Sequence, residues 1–418
     1  MLYLLLFMAT IVLPSSRAGD PELGNIVLAN VLFRHGDRTP LDPYPNDPWR
    51  NESLWPVPFG QLTNLGKHQH LELGRWFRAR YDQLLPRKYS FHDIYIRSTD
   101  VDRTLMSAEA NLAGLYPPVG EQIWDTLKWM PIPVHTSPEK EDNVLSGKKY
   151  CARYNYELNR VLNSLKMRKI IQDHQKLFDY LTKMAGKKID DLEQLNYLYN
   201  NLFIESIYNR TLPEWTKPIY PDKLQPLAAL SFETQANNKI LQRLRMGLLV
   251  KEMVDHMVQK SRNALVPDRK LFMYSAHDDT VANLLMTLGL FEPHCPPYTA
   301  TILIELRQNA KSQFVVTISY KNSTAEPTLL TLPGCIPACP LSQFVKLTKD
   351  IIPEDWDKEC LITWETYGVD FSISTILGIM MFAILLLIFV VLLIVSFVFW
   401  HYKRAHCQYY TRLSTDSI

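Results

Sequence analysis

The chain has 418 residues, 47% of them hydrophobic, with 45 Lys and Arg against 43 Asp and Glu for a formal net charge of +2. That length permits more than one domain and a substantial core. So even a charge balance excludes a nucleic-acid surface as the organising feature, and the sequence holds no internal repeat, low-complexity tract, Walker-type glycine loop or convincing metal-ligand cluster.

Taken in chain order, Leu2 to Leu13 is apolar and is followed by Pro14 and small residues up to Ala18. Residues 1–18 read as a secretory signal, although a positive charge is missing at the start, because the run is too short to span a membrane comfortably. Val27 to Phe33 reads as a buried strand leading directly into Arg34-His35-Gly36-Asp37-Arg38-Thr39-Pro40. Two forked, permanently charged guanidiniums flanking one imidazole have the composition of a phosphate trap with a nucleophile at its centre. The two cations disfavour protonation of His35 and keep its lone pair available, and attack on phosphorus would give a covalent phosphohistidine.

Residues from Gln61 to Leu85 read as a covering helix. His92 to Arg97 reads as a second strand, followed by the helix-capping types Ser98, Thr99 and Asp100 and a helical pattern through Leu115. Arg97 thus stands at a strand's carboxyl end beside a helix N-terminus, a place that favours anions. The stretch from Tyr154 to Ser261 is mostly helical, with Ile240, Leu241, Leu244 and Leu248 on one stripe. Lys270 to Ser275 reads as a third strand, and Ala276-His277-Asp278-Asp279 as its carboxyl-end loop before a helix carrying Val281, Leu284, Leu285 and Leu288. His277 can donate to a phosphoryl oxygen, and Asp278 can protonate a departing alkoxide, because bound phosphate raises its pKa. Residues 300–306 and 313–320 read as a hairpin added to the sheet, and 327–353 as irregular, proline-rich turns.

Residues 371–400 carry no charge, exceed the roughly 20 that a membrane helix needs, and are followed by Lys403 and Arg404. That asymmetry predicts a single-pass type I protein, with 19–370 lumenal or extracellular and 401–418 a cytosolic tail. Cys151, Cys295, Cys335, Cys339 and Cys360 then face an oxidising space; their number leaves the connectivity open, and a zinc site at Cys335 and Cys339 lacks further nearby ligands. Asn51, Asn209 and Asn322 open N-glycan acceptor tripeptides. In the tail, Cys407 is a palmitoylation candidate, and Tyr410-Thr411-Arg412-Leu413 has the form read by endocytic sorting adaptors. The compartment is therefore the lysosomal or endosomal membrane or the plasma membrane, with proteolytic release of a soluble form as a variant.

The opening motif, with Tyr95-Ile96-Arg97-Ser98-Thr99-Asp100-Val101-Asp102-Arg103-Thr104 and Tyr274-Ser275-Ala276-His277-Asp278, resembles the histidine acid phosphatases from about Val27 to Cys360. The resemblance implies an α/β fold like that of phosphoglycerate mutase, a mainly parallel sheet flanked by helices, with core segments at about 25–150 and 266–345 and a smaller helical cap at about 152–265. It implies that His35 is the nucleophile, that Arg34, Arg38, Arg97 and His277 bind phosphate, and that Asp278 is the acid, with neither metal nor cofactor. It further implies Cys151–Cys360 and Cys335–Cys339 bridges, with Ile204 and Thr301 where a third bridge would stand and Cys295 left over, and a homodimer. The substrate would be a small phosphate monoester or a phosphoprotein; a narrower choice is an inositol polyphosphate or a lysophospholipid. An adhesion or receptor protein on a phosphatase fold is the competing class, and retention of the complete residue set speaks against it. One departure stands out: the family usually has Thr after the His-Asp pair, and this chain has Asp279. An added carboxylate there could repel a phosphate dianion, but as a first-turn helix residue Asp279 is expected to point harmlessly into solvent.

Overall fold

The computed structural model describes residues 23–363, 366 and 373–415, so the signal segment expected at 1–18 lies outside the described residues. The chain forms two compact units divided after Leu361.

The first unit is built on a sheet of β1 (Asn25–Arg34), β2 (Ile94–Ser98), β3 (Leu271–Ala276), β4 (Thr301–Gln308), β5 (Phe314–Lys321), β6 (Thr328–Leu330) and β7 (Cys339–Pro340). Its order is β2-β3-β1-β4-β5-β6, with β7 paired to β5. β2, β3 and β1 are parallel to one another, whereas β4 is antiparallel to β1, and β5 to β4, β6 and β7. The sheet is therefore mixed: the expected parallel arrangement is confined to the three motif-bearing strands, because the hairpin Thr301–Lys321 reverses direction on joining β1.

The helices are α1 (Asn64–Arg80), α2 (Asp102–Leu115), α3 (Ala152–Leu162), α4 (Leu165–Asp173), α5 (Gln175–Ala185), α6 (Leu192–Ile207), α7 (Leu224–Ser231), α8 (Lys239–Ser261), α9 (Asp278–Thr287), α10 (Leu341–Thr348) and α11 (Trp356–Glu359). β1 is buried on both faces, and its alternation divides the core into two layers. Ala29, Val31 and Phe33 pack with Phe77 of α1 and Leu112 of α2, while Leu28 and Leu32 pack with Val250 and Met253 of α8 and Leu284 of α9.

α4 to α7 have an apolar cluster of their own, including Phe178, Leu195, Leu202 and Leu227, with Tyr44 from the segment after the opening motif. The greater part of α8, expected within the cap, belongs to the sheet's flank: Met246, Leu249, Val250, Met253, Val254 and Met257 all join the sheet cluster. The amino-terminal end of α8 instead packs Leu244 against Trp356 and the Cys151–Cys360 bridge. That bridge spans 209 residues of sequence and Cys335–Cys339 spans 4, so both implied pairings form, and Cys295 is a free thiol.

The second unit is dominated by α12 (Ile373–Thr415), 43 residues long. Within it, Leu377–Arg404 is 28 residues with a mean hydropathy of 3.4, long and apolar enough to cross a membrane. Its side chains, among them Phe382, Leu387 and Phe399, are exposed in the chain itself.

Candidate active site

The three parallel strands end at one edge of the sheet, and the polar residues that follow them meet there. Arg34 ends β1 and His35 follows it, Ser98 ends β2 and Thr99 follows it, and His277 follows β3. The backbone stitches the ends together: His35 N donates to the Ala276 carbonyl at 2.9 Å and Thr99 N to the Ser275 carbonyl at 3.1 Å. Close packing of the motif loop on α1 requires glycine, since a Cβ at Gly36 would lie 2.4 Å from the Gly66 carbonyl oxygen. Asp37 anchors the loop further. Its Oδ2 accepts from Thr63 Oγ1 at 2.5 Å and from Tyr208 Oη at 2.7 Å, joining the motif to the starts of α1 and the end of α6.

His35 is buried, and its Nδ1 lies 2.8 Å from the Gly36 carbonyl oxygen. A carbonyl only accepts, so Nδ1 carries the proton. Burial first, then Arg103, Arg34, His277 and Arg38, hold the imidazole well below its ordinary pKa. The ring is therefore neutral in mild acid, with the Nε2 lone pair free to attack.

Two cations are posted on their neighbours. Arg34 Nη2 lies 2.8 Å from Asp278 Oδ2, its Nη1 donates to the Pro296 carbonyl at 2.5 Å, and its guanidinium stands 4.4 Å from the Tyr298 ring centroid. Arg103 Nη2 lies 3.3 Å from His277 Nδ1, while His277 Nε2 lies 3.0 Å from Thr99 Oγ1. Because arginine only donates, His277 carries its proton on Nε2 and gives it to Thr99. Burial, with Arg103 next, lowers the His277 pKa to about 3. Arg103 is itself lowered to about 10 by burial and by Arg38, and so stays cationic. Burial pushes the Asp278 carboxyl up, but Arg34, Arg38 and His277 outweigh it and hold the group below its usual range.

Arg34, His35, Arg38, His277 and Asp278 thus come together. Arg97 does not. β2 alternates Ile94 and Ile96 toward α1 and α2, which turns Tyr95 and Arg97 to the opposite face. There Arg97 Nη1 pairs with Glu252 Oε2 of α8 at 3.0 Å, and Glu252 Oε1 accepts from Tyr274 Oη at 2.8 Å. The third arginine at the cluster is Arg103, in the first turn of α2. A sequence signal for it existed, since a cation in a helix's first turn opposes the helix dipole and needs another reason to be there. Thr99 and Tyr298 were also missed; the Tyr298 ring centroid is 5.9 Å from that of His35. Among the described residues, no group of three or more His, Cys, Asp or Glu could hold a metal ion.

Residues 25–321, which carry this whole constellation, match the model of the histidine phosphatase superfamily, branch 2. The chain belongs to that family. Human prostatic acid phosphatase is 42% identical over 350 residues, covering 82% of this chain and 89% of that one. Human lysosomal acid phosphatase is 35% identical over 404 residues, covering 94% and 92%. Like these relatives, the family member described here is an acid phosphatase. Among solved structures, a phytase from Hafnia alvei in complex with myo-inositol hexakis sulphate superposes with a TM-score of 0.63 at 18% identity, covering 82% of this chain and 100% of that one, a likeness of fold.

Proposed function

We propose that the chain hydrolyses phosphate monoesters in two displacements at His35. In the first, Nε2 attacks phosphorus, the bond from phosphorus to the ester oxygen breaks, and Asp278 gives its proton to the departing oxygen. Arg34, Arg38 and Arg103 hold the phosphoryl oxygens and balance the charge that develops on them, and His277 joins as a neutral donor once its Nε2 proton turns from Thr99 to a bound phosphoryl oxygen. In the second, water attacks the phosphohistidine, Asp278 takes its proton, and inorganic phosphate leaves with His35 restored. The observation that carries this reading is the buried, neutral His35, its Nδ1 proton committed to Gly36 and its ring surrounded by cations.

Asp278 needs a proton before the first step, although Arg34 keeps it ionised in the free site. A bound phosphate dianion draws Arg34 to itself and sets negative charge beside Asp278, and both effects raise the carboxyl's pKa. Substrate and acid pH act in the same direction. Rapid quenching of the enzyme with labelled phosphate monoester tests the scheme: acid-labile label on the wild type, absent from His35→Ala, is expected, and turnover with no trapped label would speak for direct attack by water.

The same reading makes residues 1–18 a cleaved signal, 371–400 a membrane-spanning helix and 401–418 a cytosolic tail, in a lysosomal, endosomal or plasma membrane. Asn51, Asn209 and Asn322 are exposed, as glycan acceptors must be. A homodimer and an adaptor reading Tyr410 to Leu413 belong to the proposal as kinship and motif suggest them, with small phosphate monoesters or phosphoproteins as substrates.

A further inference from the structure

Asp279 does not simply point into water. Its Oδ2 lies 3.2 Å from Arg245 Nη2, and the side chains are 30% and 11% exposed, so the cation is the more deeply set of the two. Arg245 is held from several sides. Its Nη1 donates to the Gly147 carbonyl at 2.7 Å, its Nη2 to Gln235 Oε1 at 3.2 Å, and its guanidinium stands 5.9 Å from the Tyr154 ring centroid. Gln235 also accepts from Asn283 Nδ2 of α9 at 3.1 Å. α8 therefore delivers a fixed cation to the first turn of α9, next to the residue proposed as the acid.

An unneutralised carboxylate at this position would matter. Asp279 follows Asp278 directly, and its charge is felt by Arg103 and by Tyr197 of α6, the latter also facing Asp278. Asp278 in turn faces Arg34, Arg38 and His277. A free negative charge there would repel a phosphate dianion and weaken the pull of Arg103 upon it.

We infer that Arg245 is a positioning residue for phosphate binding, which neutralises Asp279 and turns its carboxylate away from the phosphoryl subsite. The ion pair does the work that an uncharged threonine hydroxyl requires no partner to do. This inference rests on the phosphomonoesterase reading above.

A charge cycle on the full-length protein tests it, with wild type, Arg245→Gln, Asp279→Thr and the double variant assayed on an alkyl phosphate, glycerol 2-phosphate, whose alkoxide needs the Asp278 proton, from acid to neutral pH. Inhibition by inorganic phosphate is measured alongside. Arg245→Gln is expected to raise KM and the phosphate inhibition constant together by about threefold to tenfold, as expected for one unmasked charge in a partly hydrated site, with kcat changing less. It is also expected to move the alkaline limb of kcat/KM upward, since a like charge raises the Asp278 pKa. Asp279→Thr in that background restores both, and Asp279→Thr alone lowers KM because Arg245 is then an extra cation. If Arg245 merely ties α8 to Gly147, the double variant stays as impaired as Arg245→Gln and the pH limb does not move; that overturns the inference. So does an Arg245→Gln variant with wild-type KM. A folded wild type that neither turns over nor binds phosphate overturns the phosphomonoesterase reading, and this inference with it, whereas an active wild type with a flat cycle overturns this inference alone.

Discussion

At the scale of single residues, the arginines differ in what each would leave behind. Removing Arg103 takes a cation from the cluster around His35 and His277 and leaves the fold's ion pairs intact. Arg103→Ala is expected to lower kcat/KM by about a hundredfold to a thousandfold, in the range of losing one donor to developing charge. Removing Arg97 instead leaves Glu252 facing Tyr274 without its cation, an unpaired, part-buried carboxylate that destabilises by a few kcal/mol, roughly. Arg97→Ala should therefore show a lower melting temperature with kcat/KM reduced by less than about tenfold. Steady-state kinetics and thermal unfolding on both variants decide between them; the opposite pattern would return Arg97 to the phosphate. Asp278 is distinguished differently. Asp278→Asn is expected to be far slower on alkyl phosphates than on p-nitrophenyl phosphate, since a nitrophenolate departs without a proton and an alkoxide does not. Equal losses on both would remove Asp278 from the acid role.

At the scale of elements, the meeting of α6 with the segment after the opening motif rests on a buried acid pair. Asp47 and Glu205 are 3% and 0% exposed, and neither Glu205 oxygen nor Asp47 Oδ2 has another hydrogen-bond partner among the described residues. Tyr44 is the other buried group there, and Arg50 is the cation that acts on Asp47. A proton held between the carboxyls satisfies both, and burial together with Asp47 pushes Glu205 up to about 9. The folded state thus holds a proton that the unfolded chain gives up above its ordinary carboxyl pKa. The stability it contributes is fully present below that unfolded value and is lost as pH rises toward about 9. Glu205→Gln keeps a donor for Asp47 and removes the titration. Its unfolding free energy should fall less between acid and mildly alkaline pH than that of the wild type, by on the order of 2 kcal/mol, and its melting temperature correspondingly less. Parallel curves would show that the pair does not titrate there.

The same elements show why some features could be read in advance and others could not. β1, β2 and β3 announce themselves as short apolar runs ending in polar loops, and the loops' chemistry needs only their carboxyl ends to meet. The face that Arg97 takes is not legible in advance, because one residue of alternation in a strand moves a side chain to the other face, and nothing in a five-residue strand says which face holds the ligand. The apolar residues of α8 show that the helix is buried but not against what, so its sequence does not separate the cap from the sheet's flank. Arg245 and Asp279, 34 residues apart in sequence, acquire a common meaning only once α8 and α9 lie side by side.

At the scale of the whole molecule, the two units make different demands on solvent. The first carries the proposed catalytic residues and closes with Cys360, bonded to Cys151 and so tying α11 to the start of α3. A chain ending after Leu361 keeps that bond and every residue of the site. The second unit's 28-residue apolar stretch would reach about 42 Å as a helix, more than the roughly 30 Å of a bilayer's hydrocarbon. Its backbone is satisfied within the helix, and its apolar side chains are exposed among the described residues, a combination suited to lipid and hazardous in water. The truncated protein is therefore expected to be secreted soluble with kcat/KM within about twofold of the full-length enzyme. Full-length protein should remain with membranes through an alkaline carbonate wash and leave them only in detergent. Release by carbonate would mean that α12 does not span, and a truncated form that is folded but inactive would mean that the site depends on residues beyond Leu361.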